Sequence, residues 1–262
     1  ARFRQLRLME HGTGKGTIPP KDKGPLGNKH REREALTMEL REMGKAAAAV
    51  KYDLACMSEE RKNRALCAAA DGLERDMDRI FSANEKDVAD GEAKGMHPGL
   101  VDRLRLTPER VRAMAEGLRQ VSALPDPVGE VLESFIRPNG LKIEKRRVPI
   151  GVAGIIYESR PNVTADAFAL CFKAGNACIL KGGSDALASN QAIAESIRAS
   201  LEDCGIDPDA VQLVTDTDRA VTEQLMRLNE YVDVLIPRGG AGLIRAVVEH
   251  STVPVIETGT GN

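Results

Sequence analysis

Tryptophan is absent from the 262 residues, and aromatic residues amount to only 3% of them. Surfaces that stack successive bases need aromatic rings, so a single-stranded nucleic-acid platform finds little support here. Long apolar runs are also missing. No stretch approaches the ~18 consecutive apolar residues of a membrane-spanning helix, and no apolar segment of the signal-peptide kind stands near the start. Charge of one sign is lacking too: 37 Lys and Arg face 39 Asp and Glu, a formal net of −2. That balance draws the whole molecule toward neither nucleic acid nor an anionic membrane. The five cysteines (Cys56, Cys67, Cys171, Cys178 and Cys204) form no C-x-x-C pair and have no His at ligand spacing. Such a scattered, odd set reads as reduced thiols of a cytoplasmic protein, serving as small core residues and not as a disulfide framework or a metal site.

The balanced total hides an uneven distribution. Residues 1–34 carry nine Lys or Arg against four Asp or Glu, with a Gly/Pro/Lys-rich stretch from Gly12 to Lys29. Composition of this kind buries too little apolar surface to order itself, so residues 1–34 are expected to be a disordered leader unrelated to the rest. A mitochondrial-type targeting segment is one reading of it, and an upstream translated leader is the one we take. The run Gly12-Thr13-Gly14-Lys15-Gly16-Thr17 superficially suggests a phosphate loop. It fails because no glycine stands five positions before Gly14, and Lys15 is followed by Gly where Ser or Thr is required.

Residues 35–126 read as helical. Met38, Ala46, Ala49, Val50 and Leu54 precede Ser58, a good N-cap with Glu60 and Arg61 behind it. A second helix carries Leu66, Ala69, Ala70, Leu73, Met77 and Ile80 at helical spacing. Thr107-Pro108-Glu109 opens a third, with Pro at the first helical position and a stripe of Val111, Met114, Ala115, Leu118 and Val121. These faces are expected to pack and not to do chemistry. Pro125-Asp126-Pro127 breaks the pattern, and residues 127–149 read as a β-hairpin: Val128–Ile136 and Leu141–Val148 flank Pro138-Asn139-Gly140. Its alternation predicts strands with one exposed face.

From residue 150 to 262 the rhythm becomes strand–helix. Gly151–Tyr157, Asn176–Lys181, Ala210–Val214, Tyr231–Pro237 and Thr252–Glu257 are β-rich, and helical stretches at Asp166–Ala174, Asp185–Cys204, Asp218–Leu228 and Ala241–His250 follow the first four. Runs such as Val234-Leu235-Ile236 are continuously apolar, as strands buried on both faces require. The expected class is α/β, a doubly wound parallel sheet preceded by the helical segment and the hairpin.

In such a sheet ligands bind at the carboxyl ends of strands. Four segments sit there: Tyr157 to Thr164, Lys181 to Ser184, Pro237 to Gly242, and Glu257 to Asn262. Gly239, Gly240 and Gly242 between a strand and a helix would let the backbone approach a diphosphate at the unpaired helix N–H groups, with Arg238 adding a cation. They would equally serve a tight βα turn. Lys181 could reach a ribose hydroxyl or 2′-phosphate, or be a solvated strand-end lysine, with Ser184 as the following N-cap. Asn162, beside Arg160 and Pro161, could donate to a developing oxyanion or cap its helix.

The strings Val148-Pro149-Ile150-Gly151-Val152, Ile156-Tyr157-Glu158-Ser159-Arg160-Pro161-Asn162-Val163-Thr164 and Leu235-Ile236-Pro237-Arg238-Gly239-Gly240-Ala241-Gly242-Leu243 closely resemble the gamma-glutamyl phosphate reductases. These are the glutamate-5-semialdehyde dehydrogenases of proline biosynthesis, within the aldehyde dehydrogenase superfamily. The resemblance runs from about residue 37 to 262 and takes in Asn84–Asp90 and Arg103–Pro108. It implies a Rossmann-like sheet of the aldehyde dehydrogenase type and NADPH-dependent reduction of L-glutamyl 5-phosphate, through a cysteine thioester, to the semialdehyde and phosphate. It implies that Asn162 steadies the oxyanion. It places Glu158, Arg160, Pro161, Lys181, Gly182, Gly183, Ser184, Pro237, Arg238, Gly239, Gly240 and Gly242 around NADP. The family's nucleophile belongs to a Cys-Asn segment expected beyond Asn262, in a catalytic domain outside this sequence, and neither Cys171 nor Cys178 is a credible substitute. Glu257 matches the general base of hydrolytic relatives, a role that phosphate expulsion does not need. The hairpin implies a homo-oligomer for the full-length enzyme. Two alternatives stand beside this reading: a non-catalytic nucleotide-binding module, and the reductase half of a bifunctional proline-pathway synthetase.

Overall fold

The computed structural model describes residues 25–259, with side chains from Met38 onward. The helical part comprises α1 (Pro25–Ala55), α2 (Glu59–Arg75), α3 (Met77–Ala93), α4 (Pro98–Leu104) and α5 (Pro108–Ala123). Its boundaries follow local chemistry. Ser58 caps α2 by accepting from the Arg61 N–H, and Thr107 caps α5 by accepting from the Arg110 N–H with Pro108 behind it. The apolar stripe from Leu66 to Ile80 is divided between α2 and α3, where a single helix was expected. Asp76 stands at the break with φ −92° and ψ 15°. Asp is a poor interior helix residue, and this one turns its carboxylate onto Arg75 and Arg79. At the other end, α1 begins at Pro25, which corrects the boundary expected at residue 34.

The hairpin pairs β1 (Val131–Ile136) with β2 (Lys142–Arg146), antiparallel, across Pro138-Asn139-Gly140. The expectation of one covered face fails. Every residue of β1 is exposed, as is all of β2 except the half-buried Ile143 and Glu144, because nothing among the described residues packs against either side.

The sheet then follows: β3 (Val152–Tyr157), α6 (Asn162–Lys173), β4 (Ala177–Lys181), α7 (Leu187–Asp203), β5 (Val211–Leu213), α8 (Arg219–Leu225), β6 (Val234–Arg238) and α9 (Ala241–His250). All its pairings are parallel, in the order β5-β4-β3-β6. Every residue of β3 and β4 is buried, as the continuous apolar runs require of strands covered on both faces. The fifth β-rich run, Thr252–Glu257, forms no strand. It contributes one parallel bridge, Leu235 to Val255, with the Leu235 N–H donating to Pro254 O at 2.8 Å and the Ile256 N–H to Leu235 O at 2.9 Å.

The helical part lies against the sheet domain. α2 packs on α5, α6 and α7, while α1 reaches β4 and α8. Two buried lysines tie these layers together. Lys62 is 1% exposed, pairs with Asp126 at 2.5 Å and donates to Lys173 O at 3.3 Å. Lys173, 4% exposed, donates to Asn63 Oδ1 at 2.6 Å and Ser122 O at 3.0 Å. Buried ammonium groups are tolerated when paired and hydrogen-bonded in this way.

The hairpin leaves Val131, Leu132, Phe135, Ile136 and Leu141 exposed on an uncovered two-stranded ribbon. Such a ribbon offers unpaired edge groups beside an apolar patch. Light scattering of the purified chain is therefore expected to show apparent mass rising with concentration, and the double substitution Phe135→Lys, Ile136→Lys to reduce that rise. A mass that stays monomeric at high concentration would overturn this expectation.

Candidate functional site

Strand order reverses at β3, which has β4 on one side and β6 on the other. The crevice outside the carboxyl ends of such strands is where open α/β sheets bind ligands. Four segments meet there.

The first leaves β3. The Glu158 N–H donates to Arg238 O at 3.3 Å and the Arg160 N–H to Glu158 O at 2.7 Å. Pro161 is buried and precedes α6, whose first residue is Asn162. The Asn162 side chain does not cap the helix. Its Nδ2 donates to Asp166 Oδ2 at 3.1 Å, one turn on. Burial pushes the Asp166 carboxyl above its ordinary pKa, while the Asn162 hydrogen bond and the Arg238 charge pull it back.

The second segment leaves β4. Lys181 is buried, not a solvated strand-end lysine, and its Nζ donates to Gly182 O at 3.1 Å. Among the described residues it has no carboxylate within ion-pair distance. Burial pushes its pKa below the ordinary lysine value, with Asp216 opposing. Gly182 lies over a buried network in which Tyr157 Oη, Thr164 Oγ1 and Asn190 Oδ1 are linked at 2.7 and 3.0 Å. A Cβ at Gly182 would sit 2.3 Å from Asn190 Nδ2 and 3.1 Å from the Tyr157 ring. Gly183 packs on Ser159, whose Oγ donates to Asp185 at 3.1 Å, joining this loop to the first. Ser184 is not the N-cap of the long helix that follows. It opens a short 3-10 turn, Ser184–Ala186, and the first N–H groups of α7 go instead to the Asp87 carboxylate, from Ala188 at 3.2 Å and Ser189 at 2.7 Å.

The third segment leaves β6 from the buried Pro237. Gly239 and Gly240 lead into α9, and Gly242 lies exposed in its first turn. The N–H of Gly240 donates to Glu158 Oε1 at 2.9 Å, and a Cβ at Gly239 would stand 2.7 Å from Glu158 Cδ. The turn expected to receive a diphosphate thus already holds an anion. Its donor chemistry fits a phosphate group, and Glu158 must move for one to sit there. The fourth segment contributes Thr258, which donates to Pro237 O at 2.6 Å, while Glu257 is exposed beside it.

Two clefts result. One, of about 430 Å³, is lined by Glu158, Arg160, Val163, Arg238, Gly239, Gly240, Thr258, Gly259 and Arg103. The other, of about 460 Å³, is lined by Arg160, Asn162, Asp166, Asp102, Arg103, Leu106, Arg110, Ala113 and Met114. They share Arg103 and Arg160. Of the residues expected around the cofactor, Pro161, Lys181, Gly182, Gly183, Ser184, Pro237 and Gly242 line neither cleft. Arg103, Arg110 and Asp166 were not expected in a site. They lie on helices whose spacing signals only packing, and although Arg103 opens the family-like stretch Arg103–Pro108, nothing local marks any of the three as a site residue. Cys171 on α6 and Cys178 on β4 are buried.

The model of the aldehyde dehydrogenase family matches residues 17–259, and so enters the segment 1–34 expected to be unrelated. The chain is 59% identical over 218 residues to the gamma-glutamyl phosphate reductase of Lachnospira eligens, covering 83% of this chain and 52% of that protein. The solved structure of gamma-glutamyl phosphate reductase from Thermotoga maritima matches with a TM-score of 0.84 at 44% identity, over 86% of this chain and 54% of that one. The Saccharomyces cerevisiae reductase matches with a TM-score of 0.77 at 30% identity, over 84% and 56%. The chain spans about half the length of the curated relatives it matches.

The two glycine contacts separate rigid from yielding neighbours. Gly182→Ala must push into the buried Tyr157–Thr164–Asn190 network and is expected to cost about 1–3 kcal/mol. Gly239→Ala needs only the end of the Glu158 side chain to move and should cost less than about 1 kcal/mol. Urea denaturation of the two variants checks the order, and equal or reversed costs would refute this account of the loops.

Proposed function

The chain belongs to the aldehyde dehydrogenase family, and we propose that it is the nicotinamide-nucleotide-binding part of a gamma-glutamyl phosphate reductase. The reaction is reduction of L-glutamyl 5-phosphate to L-glutamate 5-semialdehyde with release of phosphate, a step of proline biosynthesis. The observation that carries this reading is the meeting of the Arg160-Pro161-Asn162 loop and the Arg238-Gly239-Gly240 turn at the β3 switch point, in a chain 59% identical to a protein of that name.

NADPH supplies the hydride when bound. The residues of this chain hold and orient it. The Gly239–Gly240 turn and the start of α9 offer backbone N–H groups and a positive helix end to the diphosphate. Arg238 adds charge beside them. Lys181 takes a ribose hydroxyl or the 2′-phosphate, an assignment supported by its burial without a carboxylate partner among the described residues. Asn162 gives one amide N–H to Asp166 and keeps the second for the oxyanion that develops on the acyl carbon. The acyl-accepting thiolate comes from neither Cys171 nor Cys178, which are buried in the nucleotide-binding layer. The resemblance assigns it to the Cys-Asn segment beyond Asn262. The full-length enzyme acts as a soluble cytoplasmic homo-oligomer.

Two measurements test this. In a fluorescence titration the chain is expected to bind NADPH, and Lys181→Met to weaken that binding about tenfold, the loss of one charge-assisted contact. Since burial lowers the Lys181 pKa, its positive charge disappears as pH rises through a value below the ordinary ~10.4. The preference for NADPH over NADH should therefore shrink at lower pH than an exposed lysine would give. In the second measurement, phosphate-dependent NADP reduction with glutamate 5-semialdehyde should be absent from this chain alone. It should appear once the chain is joined to the cysteine-bearing half of a reductase. Turnover by the chain alone, or no NADPH binding, would overturn the proposal.

A further inference from the structure

The stretch from Pro98 to Arg112 carries four arginines, and all but one are spent. Arg105 pairs with Glu92 at 2.9 Å, Arg112 with Glu109 at 3.7 Å, and Arg110 with both oxygens of Asp102 at 3.1 Å. Arg110 also donates to the Asp102 and Arg105 carbonyls, closing the end of α4. Arg103 has no carboxylate partner among the described residues. Neither do Arg160 and Arg238, and these three guanidinium groups line the same cleft.

Arg103 is set there by a scaffold that makes no use of its own charge. Buried Asn84 on α3 donates to Leu104 O at 2.9 Å and accepts from the Leu106 N–H at 2.7 Å. Its amide also reaches Ser189 Oγ at 3.0 Å, and Ser189 is held by Asp87 through both its N–H and its hydroxyl. The α4–α5 turn is thereby fastened to the start of α7. Val101 and Leu104 anchor α4 from below, in a small cluster with Val88 and Ala186. The exposed face of α4 that carries Arg103 is thus fixed at the junction of the two clefts.

The charge there is unbalanced. Around the 430 Å³ cleft three guanidinium groups face a single carboxylate, Glu158, and the adjoining cleft adds Arg110 against Asp102 and Asp166, so that one positive charge remains in excess over the two together. Arg103 and Arg160 border both this cleft and the one that contains Asn162. A dianion held between them would lie beside the Asn162 amide, where an acyl group would be attacked.

We propose that Arg103, with Arg160, binds the phosphate group that leaves the acyl substrate, so that α4 supplies the residue selecting acyl phosphates over uncharged acyl donors. A guanidinium fork suits a phosphate by paired N–H···O bonds. The identity of the phosphate as that of the acyl substrate rests on the reductase reading above. The anion site itself rests on the charges and their placement.

The test uses this chain and inorganic phosphate, followed by 31P NMR line broadening, with NADPH titrated separately. The unsubstituted chain is expected to bind phosphate saturably. Arg103→Ala should weaken that binding about tenfold or more, as expected for loss of a charge-assisted pair, and Arg103→Lys should recover part of it. Arg105→Ala, which breaks only the Glu92 pair, should leave phosphate binding unchanged, and NADPH affinity should hold in all three variants. The Arg103 side chain makes no hydrogen bond among the described residues, so its variants are expected to fold, and thermal melting verifies that they do. No saturable phosphate binding by the unsubstituted chain overturns the proposal. So does equal weakening by Arg105→Ala, or a parallel loss of NADPH in Arg103→Ala, which would assign the arginine to the cofactor's phosphates. Phosphate binding through Arg103 in a chain that fails to bind NADPH would sink the reductase reading and leave the anion site standing.

Discussion

One strand sets the rest. β3 is paired on both edges, with β4 from Val152 to Ile156 and with β6 from Ala153 to Tyr157, in parallel register throughout. Parallel neighbours require crossovers, and a reversal of strand order sends successive crossovers to opposite faces of the sheet. α6 and α7 therefore cover one face, leaving the other to α1, α8 and α9. The loops that follow β3 and β6 diverge from a common line, and the space between them is the crevice. The candidate residues on the loops after β3 and β6 owe their location to that double pairing. Its cost is complete burial of β3, met by a sequence, Val-Ala-Gly-Ile-Ile-Tyr, with no charged group in it.

A second level of constraint joins the helical layer to this sheet. Lys62, Lys173, Asn84 and Asp87 are all buried, and each spends its polar atoms on backbone or side-chain partners of another element. Left unpaired, each would cost several kcal/mol. Paired, they admit few alternative arrangements of α2, α3, α4 and α5 against α6 and α7. The α4–α5 turn consequently arrives at the crevice as a fixed wall, and a helical region that reads as packing surface becomes one side of a charged cleft.

What the sequence revealed, and what it concealed, divides by range of interaction. The caps Ser58 and Thr107 involve partners three residues away, and both were legible. So were β3 and β4, whose unbroken apolar runs report burial on two faces. The break at Asp76 was hidden because Leu66 to Ile80 keeps helical spacing straight across it. The run Thr252–Glu257 has the composition of a strand yet makes one bridge, since composition does not count partners. The hairpin's alternation forecast a covered face, but alternation cannot say whether a cover is present. At the crevice, the parallel-sheet rule located the segments that leave β3, β4 and β6, whereas the segment from Glu257 follows a run that forms no strand. The Glu158–Gly240 contact spans 82 positions, and the isolation of Arg103 appears only once its neighbours are seen to be paired elsewhere. Neither leaves a local trace.

The Glu158 carboxylate seated on the Gly240 amide alters what affinity for a diphosphate at this turn would measure, in the cofactor site proposed above. A diphosphate arriving there does not fill vacant donors but evicts an anion already in place. The association is an exchange, and its free energy is the difference between two charge-assisted contacts. Part of the attraction of α9 for phosphate is thus held in reserve by the protein's own side chain. Grip and release of an anion at this turn are thereby more evenly matched than a bare helix end would allow.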